Sequence, residues 1–397
     1  MYRIIGAERH YEWGSPHAIP TLLGTEPTGE PLAELWFGAH PTAPAVLELD
    51  GGATTTVAEF LEADPTAVLG EDVVARFGGK LPFLLKLIAP ARALSLQVHP
   101  DLERAAARFA EEEEQGIPLD SPLRNYQDAN HKPEMLYALT RFEAMAGFRA
   151  PRRAAELLGD LGTDVSNSLH RRLRAQPDAN GVADAFSSLL LERPSPEQVE
   201  ELAAACAARL AAGSSSPRVD RIVIRLQEQY PGDPGVVAPL LLNPVTLQPG
   251  EALFIPAGSV HAYLSGLGVE VMASSDNVLR AGLTTKHIDV PEMLACVDYV
   301  AAPPIRIAPE RISPATEVFY APVDDFELGI TRLTPALGET LIPGRSARVI
   351  LCVEGAVTLR SGGREARLTP GQAVFLRADD APPTACGHGT LAQADLP

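Results

Sequence analysis

From Pro151 to about Tyr230 this chain reads at helical spacing, and strand-like sequence lies on both sides of that stretch. Ala, Leu, Arg and Glu dominate the middle. Apolar positions such as Val199, Leu202, Cys206 and Leu210 recur three or four residues apart, the period of one helix face. Breaks at Arg193-Pro-Ser-Pro196 and Gly213-Ser-Ser-Ser-Pro217 divide it into several short helices. The flanks carry short apolar runs punctuated by Gly and Pro. Before the helices these are Ala45 to Leu49, Leu81 to Leu87 and Ala93 to Val98, the last two around a turn at Pro90. After them come Val245 to Leu247, Ala252 to Ile255, His261 to Leu264, Val269 to Met272, and Arg348 to Val353 before a Glu354-Gly355 turn. Pro303 to Pro314 reads as a linker. Evenly spaced short strands in two separate blocks favour jelly-roll barrels over a doubly wound sheet. Asp101 is placed to cap a helix through Arg104 to Gln115, with Glu111 to Glu114 as a solvated face, and Ser121 to Asn130 reads as a loop.

Composition narrows the function classes. A formal net charge of −18 argues against nucleic acid or an anionic membrane as partner, and an anionic substrate would need local cations or a metal. Among the 33 basic residues only Lys80, Lys86, Lys132 and Lys286 are lysines. A retained lysine in an arginine-using chain hints at a site that needs a compact ammonium. Cys206, Cys296, Cys352 and Cys386 form no CxxC pair and are expected to be reduced structural thiols. No apolar h-region opens the chain and no run approaches the ~20 residues of a membrane span, so a soluble cytoplasmic protein is expected, with no obligate protein partner indicated. No GxGxxG follows a strand and no GxxxxGK[ST] occurs, which leaves nicotinamide and P-loop chemistry unsupported.

Three segments carry chemistry. In Ser95-Leu-Gln-Val-His-Pro-Asp101 the residues Ser95, Gln97 and His99 share one strand face, which is either the lining of a site or a solvated surface. In Asn130-His-Lys-Pro-Glu-Met135 a carboxylate, Glu134, enters an apolar strand and needs a cation, donors or a metal; a salt bridge with Lys132 would also satisfy it. The third, Gly250 to His261, has the Gly-x5-Pro-x-Gly-x2-His arrangement of the second cupin motif, whose tight turn aims an imidazole into a barrel. His99, Glu134 and His261, with a fourth oxygen or nitrogen ligand, would make a sulfur-free site suited to zinc, or to iron(II) as a two-His-one-carboxylate triad.

Asn130-His-Lys-Pro-Glu-Met135 and the stretch His261-Ala-Tyr-Leu-Ser-Gly266 through Ser275-Asp-Asn-Val-Leu-Arg-Ala-Gly-Leu-Thr-Thr-Lys286 resemble the two signature stretches of type I mannose-6-phosphate isomerases. Gln97-Val-His-Pro-Asp101 and Glu34-Leu-Trp-Phe-Gly-Ala-His-Pro41 fit as well. The resemblance implies one Zn²⁺ per chain, held by Gln97, His99, Glu134 and His261, with Arg280 as the catalytic arginine. It puts Ser95, Lys86 and Lys286 at the phosphate end of a sugar-phosphate substrate, with Lys132 beside the metal. Glu270, Lys132 and Lys286 are candidates for the base of an aldose–ketose isomerisation through a cis-enediol. Tyr263, Trp13 and Trp36 could stack on a sugar ring, core packing being the plainer role for the two tryptophans.

The expected fold is thus mainly β with an α-helical insert: two cupin-like jelly-roll barrels plus a helical domain. Residues 1–150 with 238–302 would form the catalytic barrel and 151–237 the insert. Residues 303–397 would form a metal-free barrel, since Gly371 to Arg377 begins like the cupin motif but has Arg377 where Pro256 stands, with His388 out of step. The rival readings are an iron(II) cupin oxygenase and a non-catalytic sugar-phosphate-binding module.

Overall fold

The computed structural model describes all 397 residues. Helix and strand each make up 30% of the chain, so the protein is mixed rather than mainly β. Much of that helix falls between residues 151 and 229. Five helices, Pro151–Gly159, Asp164–Ala175, Ala179–Leu191, Pro196–Ala211 and Pro217–Gln229, follow one another between the strand blocks. The two Pro-containing breaks are helix starts. Ser195 caps the fourth helix in a reciprocal box with Gln198 while Pro196 takes the first turn, where a missing N–H costs nothing.

The strands form antiparallel sheets of seven, five and eleven strands. In the seven-stranded sheet the order is Ile305–Ile307, Ala252–Ile255, Glu134–Ala138, Gly268–Ala273, Phe83–Ile88, Glu34–Phe37, Ala7–Arg9. In the five-stranded sheet it is Leu242–Leu247, Phe142–Phe148, His261–Ser265, Leu96–Val98, Leu279–Gly282.

Alternation then sorts the side chains. Leu96, Val98, Ala262, Leu264, Leu279 and Ala281 face the helices and share one core with Leu158, Leu169, Phe186, Leu202 and Val223. On the seven-stranded sheet Leu35, Phe37, Phe83, Leu85, Leu87, Met135, Val269 and Val271 face away, against Ile4, Leu47, Phe319, Leu328 and Phe375 of the eleven-stranded sheet. The opposite faces of the two smaller sheets meet each other. One end of that interior is apolar, filled by Ile88, Leu136, Phe142, Val245, Leu253 and Ile255. Its other end receives the polar residues of the signature segments.

Several local expectations give way. Pro303 to Pro314 is a stitch rather than a plain linker: Ile305–Ile307 joins the seven-stranded sheet, and Glu310–Arg311 begins the eleven-stranded one. That larger sheet also takes strands from the start of the chain, because Tyr2–Ile5 pairs with Ala373–Leu376 and with Val46–Glu48. The cut at residue 303 therefore misses N-terminal strands, whose partners are too distant in sequence for local pattern to reveal.

Glu354-Gly355 does not end a strand. Arg348–Ser361 runs through it, with a register shift after Cys352 and Gly355 at φ 76°. A Cβ on Gly355 would lie 2.1 Å from His388 O, so the position is a bulge that only glycine fits. Within the expected solvated run, Glu112 is buried and accepts hydrogen bonds from the backbone N–H groups of Asn125 and Tyr126 (3.1 and 2.9 Å). No helix is long and apolar enough to cross a membrane.

Candidate active site and metal centre

Strand register assembles the site. His261 stands opposite Gln97, and Gln97 stands opposite Arg280, so three neighbouring strands present these side chains in one row. The facing sheet presents a second row, in which Trp36 and Glu270 flank Lys86. Glu134 lies on the strand next to that of Glu270, on the same inward face, beside Met272.

His99, Glu134 and His261 are fully or almost fully buried, and their ligand atoms lie within 4.8 Å of one another. Glu134 spreads its two oxygens between the rings, Oε1 at 3.2 Å from His99 Nε2 and Oε2 at 3.4 Å from His261 Nε2. The tautomers follow from the far side of each ring. His99 Nδ1 donates to Asn277 O at 2.7 Å and His261 Nδ1 donates to Ser259 O at 2.9 Å. Each Nε2 lone pair therefore points at a carboxylate oxygen, acceptor against acceptor. Burial pushes the His99 imidazole down to about 4, so it stays neutral near pH 7 and forms no true ion pair there. His99 Nε2 is left without a hydrogen-bond partner. Inward lone pairs fixed by outer donors are what a bound cation requires, so the donor set fits a divalent metal with nitrogen and oxygen preference. The Gln97 amide sits 3.2 Å from His261 Nε2, and turning it end for end presents its oxygen to the same point.

Four more buried charged groups surround this cluster. Lys86 Nζ contacts Glu270 at 2.6 Å and Glu34 at 3.4 Å, and the Trp36 indole N–H donates to Glu34 at 2.8 Å. Burial alone would strip Lys86 of its proton, but the Glu270 and Glu34 carboxylates reverse that and hold it charged. Burial pushes the Glu270 carboxyl up, with Lys86 opposing. Lys132 Nζ lies 3.6 Å from Glu134. The salt bridge weighed for Glu134 thus exists beside the metal-type cluster rather than instead of it. Glu34, Glu134 and Glu270 face only two ammoniums, so one further positive charge would balance the interior.

These groups line one cavity of about 910 Å³ together with Ser95, Gln97, Tyr263, Arg280 and Lys286. Its mouth is different in character. Lys286 is exposed and Arg280 half-buried; burial and then the Arg280 guanidinium lower Lys286. Burial likewise lowers Arg280, with Asp276 and Tyr11 opposing. Neither cation has a carboxylate within salt-bridge distance, although the Asp276 charge acts on both; Lys286, the exposed one, is open to an anion, and Thr284 and Thr285 line the same cavity.

The residues singled out from sequence all meet this cavity or pack against its lining, but three sit differently from expectation. Lys86 is buried and engaged by Glu270 and Glu34, whereas Lys286, the cation that would take a phosphate, is exposed at the mouth. Tyr263 is no stacking platform: its ring packs edge-on against Phe142 at 5.3 Å and its hydroxyl donates to Glu134 Oε2 at 3.4 Å. Trp36 lines the cavity with its indole N–H bound to Glu34, rather than serving as plain core.

Sequence reasoning missed Glu34 and Asn277 as working parts. Asn277 Oδ1 accepts from Gln127 N at 2.7 Å, and Nδ2 donates to the carbonyls of Asp128 and Asn130 at 2.8 Å each. It ties the loop before Lys132 and Glu134 to the strand that carries Arg280. Both residues lay inside recognised motifs, which was the available signal.

Comparison with known proteins agrees with this geometry. The family model for the catalytic domain of type I phosphomannose isomerase matches residues 1–151. Mannose-6-phosphate isomerase of Escherichia coli K12 is 42% identical over 396 residues, 99% of each chain. The chain belongs to the type I mannose-6-phosphate isomerase family. The Bos taurus mannose-6-phosphate isomerase is more distant at 33% identity, covering 94% of this chain and 92% of the relative. Among solved structures, mannose 6-phosphate isomerase from Salmonella typhimurium, bound to its substrate and to zinc, superposes with a TM-score of 0.90. It is 39% identical and the match covers 100% of this chain and 99% of that one.

Proposed function

We propose that this chain is a zinc-dependent aldose–ketose isomerase that interconverts mannose 6-phosphate and fructose 6-phosphate. The observation that carries the reading is the buried His99–Glu134–His261 cluster with inward lone pairs, which Glu134 and Gln97 join to a cavity that Arg280 and Lys286 also line. Gln97, His99, Glu134 and His261 are the proposed ligands. When bound there, zinc supplies Lewis-acid polarisation of the sugar's carbonyl and hydroxyl oxygens.

The rest falls to the protein's own groups. Lys286, with Ser95 and the backbone near Thr284, anchors the phosphate and offsets the repulsion expected from an acidic protein. Arg280, in the row of Gln97 and His261, offers two parallel donors to the oxygen charge that develops as the C2 proton leaves. Glu270 and Lys132 are the proposed proton carriers between C2 and C1 through a cis-enediol; Lys86 keeps the Glu270 carboxylate in register. Tyr263 orients Glu134.

The same proposal reads the two smaller sheets as one cupin-like barrel, with the helices over residues 151–237 as its insert. The eleven-stranded sheet is the metal-free second barrel, formed by residues 303–397 together with the N-terminal strands. Four free thiols accord with a reducing, cytoplasmic location.

The decisive experiment is a coupled isomerase assay on purified protein, with and without chelator, alongside oxygen uptake. Turnover lost on chelation and restored by zinc supports the reading; oxygen uptake with iron(II) and no isomerisation would replace it. In deuterated water some label should enter C1 or C2 of the sugar, and its complete absence at every conversion would count against the enediol route.

A further inference from the structure

The loop between Arg280 and Lys286 carries a buried non-glycine residue in the left-handed region. Leu283 has φ 54° and is almost fully buried. A bulky side chain in that region costs of order 1–3 kcal/mol and persists only where the surroundings impose it. The imposing group is Asp233, in the connection after the last helix of the insert. Asp233 Oδ1 accepts hydrogen bonds from Leu283 N at 2.9 Å and from Gly235 N at 2.7 Å.

Two glycines clear room for that one oxygen. A Cβ on Gly282 would lie 2.8 Å from it, and a Cβ on Gly235 would lie 2.9 Å from it and 2.9 Å from the Leu283 side chain. A cap for the turn at Pro234 would need only the bond to Gly235. The second bond joins this turn to the segment after Arg280, and Asp233, Leu283 and Lys286 all line the cavity. Arg280 is held by its strand pairing with Gln97, whereas Lys286 stands three residues beyond Leu283, so the backbone angle there sets where Lys286 is held.

We infer that Asp233 is a positioning residue, by which the connection after the helices fixes the stretch from Leu283 to Lys286 in its anion-binding shape through the strained backbone at Leu283. The inference deepens the isomerase reading by assigning control of phosphate affinity to that connection, and it rests on that reading. It predicts an effect on binding rather than on the chemical step, because Asp233 donates nothing to the reacting carbons.

The test uses zinc-loaded full-length protein and two readouts: affinity for inorganic phosphate by calorimetry, and KM and kcat with mannose 6-phosphate. Asp233→Ala should weaken phosphate and raise KM by about tenfold each, as for a lost bond to a charged acceptor, with kcat within about twofold. Asp233→Asn keeps an acceptor oxygen and should restore both. Unchanged phosphate affinity in Asp233→Ala overturns the inference, as does a fall in kcat and melting temperature with KM unmoved, or an Asn variant as impaired as the Ala one. Should Asp233→Ala not fold, Leu283→Gly decides. It removes the steric preference and frees the loop, so phosphate should weaken; unchanged affinity overturns the inference. If the wild type binds phosphate with the expected Asp233 dependence but isomerises nothing, the isomerase reading falls and the positioning role stands.

Discussion

His261 is held from behind by Ser259 O, and its Nε2 has no partner there except Glu134 and Gln97. Truncating it removes a ligand without breaking a strand, because His261 begins its strand rather than sitting in the middle of it. His261→Ala should therefore fold and carry none of the about one zinc per chain that a single closed site binds, by elemental analysis. Full retention of zinc would remove His261 from the site. Arg280 belongs to the transition state on different grounds. It sits in the row of the proposed ligands, while Lys286 offers a point charge at the mouth. Arg280→Lys should keep zinc and a near-normal KM while losing on the order of 10²-fold in kcat. Lys286→Ala should instead raise KM by about tenfold, the worth of one charge-assisted bond. If Arg280→Lys raised only KM, the arginine would be an anion hook.

At the level of elements, Asn277 joins two motifs that are far apart in sequence. Asn277→Ala leaves the half-buried N–H groups of Gln127 and Asp128 and the carbonyls of Asp128 and Asn130 short of partners. Buried groups left unsatisfied cost about 1–3 kcal/mol each, and relaxation recovers part of this, so a loss of roughly 3 kcal/mol is expected. Zinc should stay bound, because the carbonyl that receives His99 Nδ1 is backbone and survives the change. Denaturant melts with metal analysis check both halves, and zinc loss without a stability loss would refute the account. The same elements explain what sequence could reveal. Alternation in Leu96-Gln-Val-His99 declares two faces but not which is wet. Only the helices packed on Leu96 and Val98 make Gln97 the inward residue. Lys86 sat in a run of large apolar residues, a sign of burial. Its partners Glu270 and Glu34 come from strands on either side, and no local pattern pairs them. Helix starts were legible because a Ser-Pro cap is a local device; the bulge at Gly355 looked like a turn because glycine serves both.

Across the whole molecule, the eleven-stranded sheet binds the two ends of the chain together, which a division by sequence could not foresee. The N-terminal ammonium meets Asp380 at 2.7 Å, and Tyr2–Ile5 lies between strands from opposite ends of the sequence. Within that sheet Glu327 stands directly across from Asp395, a like-charge pair on adjacent strands. Burial, and then the Asp395 charge, push the Glu327 carboxyl up to about 7 from 4.5. Between those values the folded state holds a proton that the unfolded state has released. Stability must then fall as pH rises through the window, and it stays lowered above it. Glu327→Gln fixes the neutral form. It should change little at about pH 3.5, where both states of the wild type are largely protonated. At about pH 8 it should stabilise by ~1 kcal/mol, the full linkage value being cut down because the side chain is partly exposed. Thermal melts of both proteins across this range give the difference directly. A gap between them that is the same at both ends, or that widens toward acid, would mean Glu327 titrates normally and the pairing with Asp395 carries no strain.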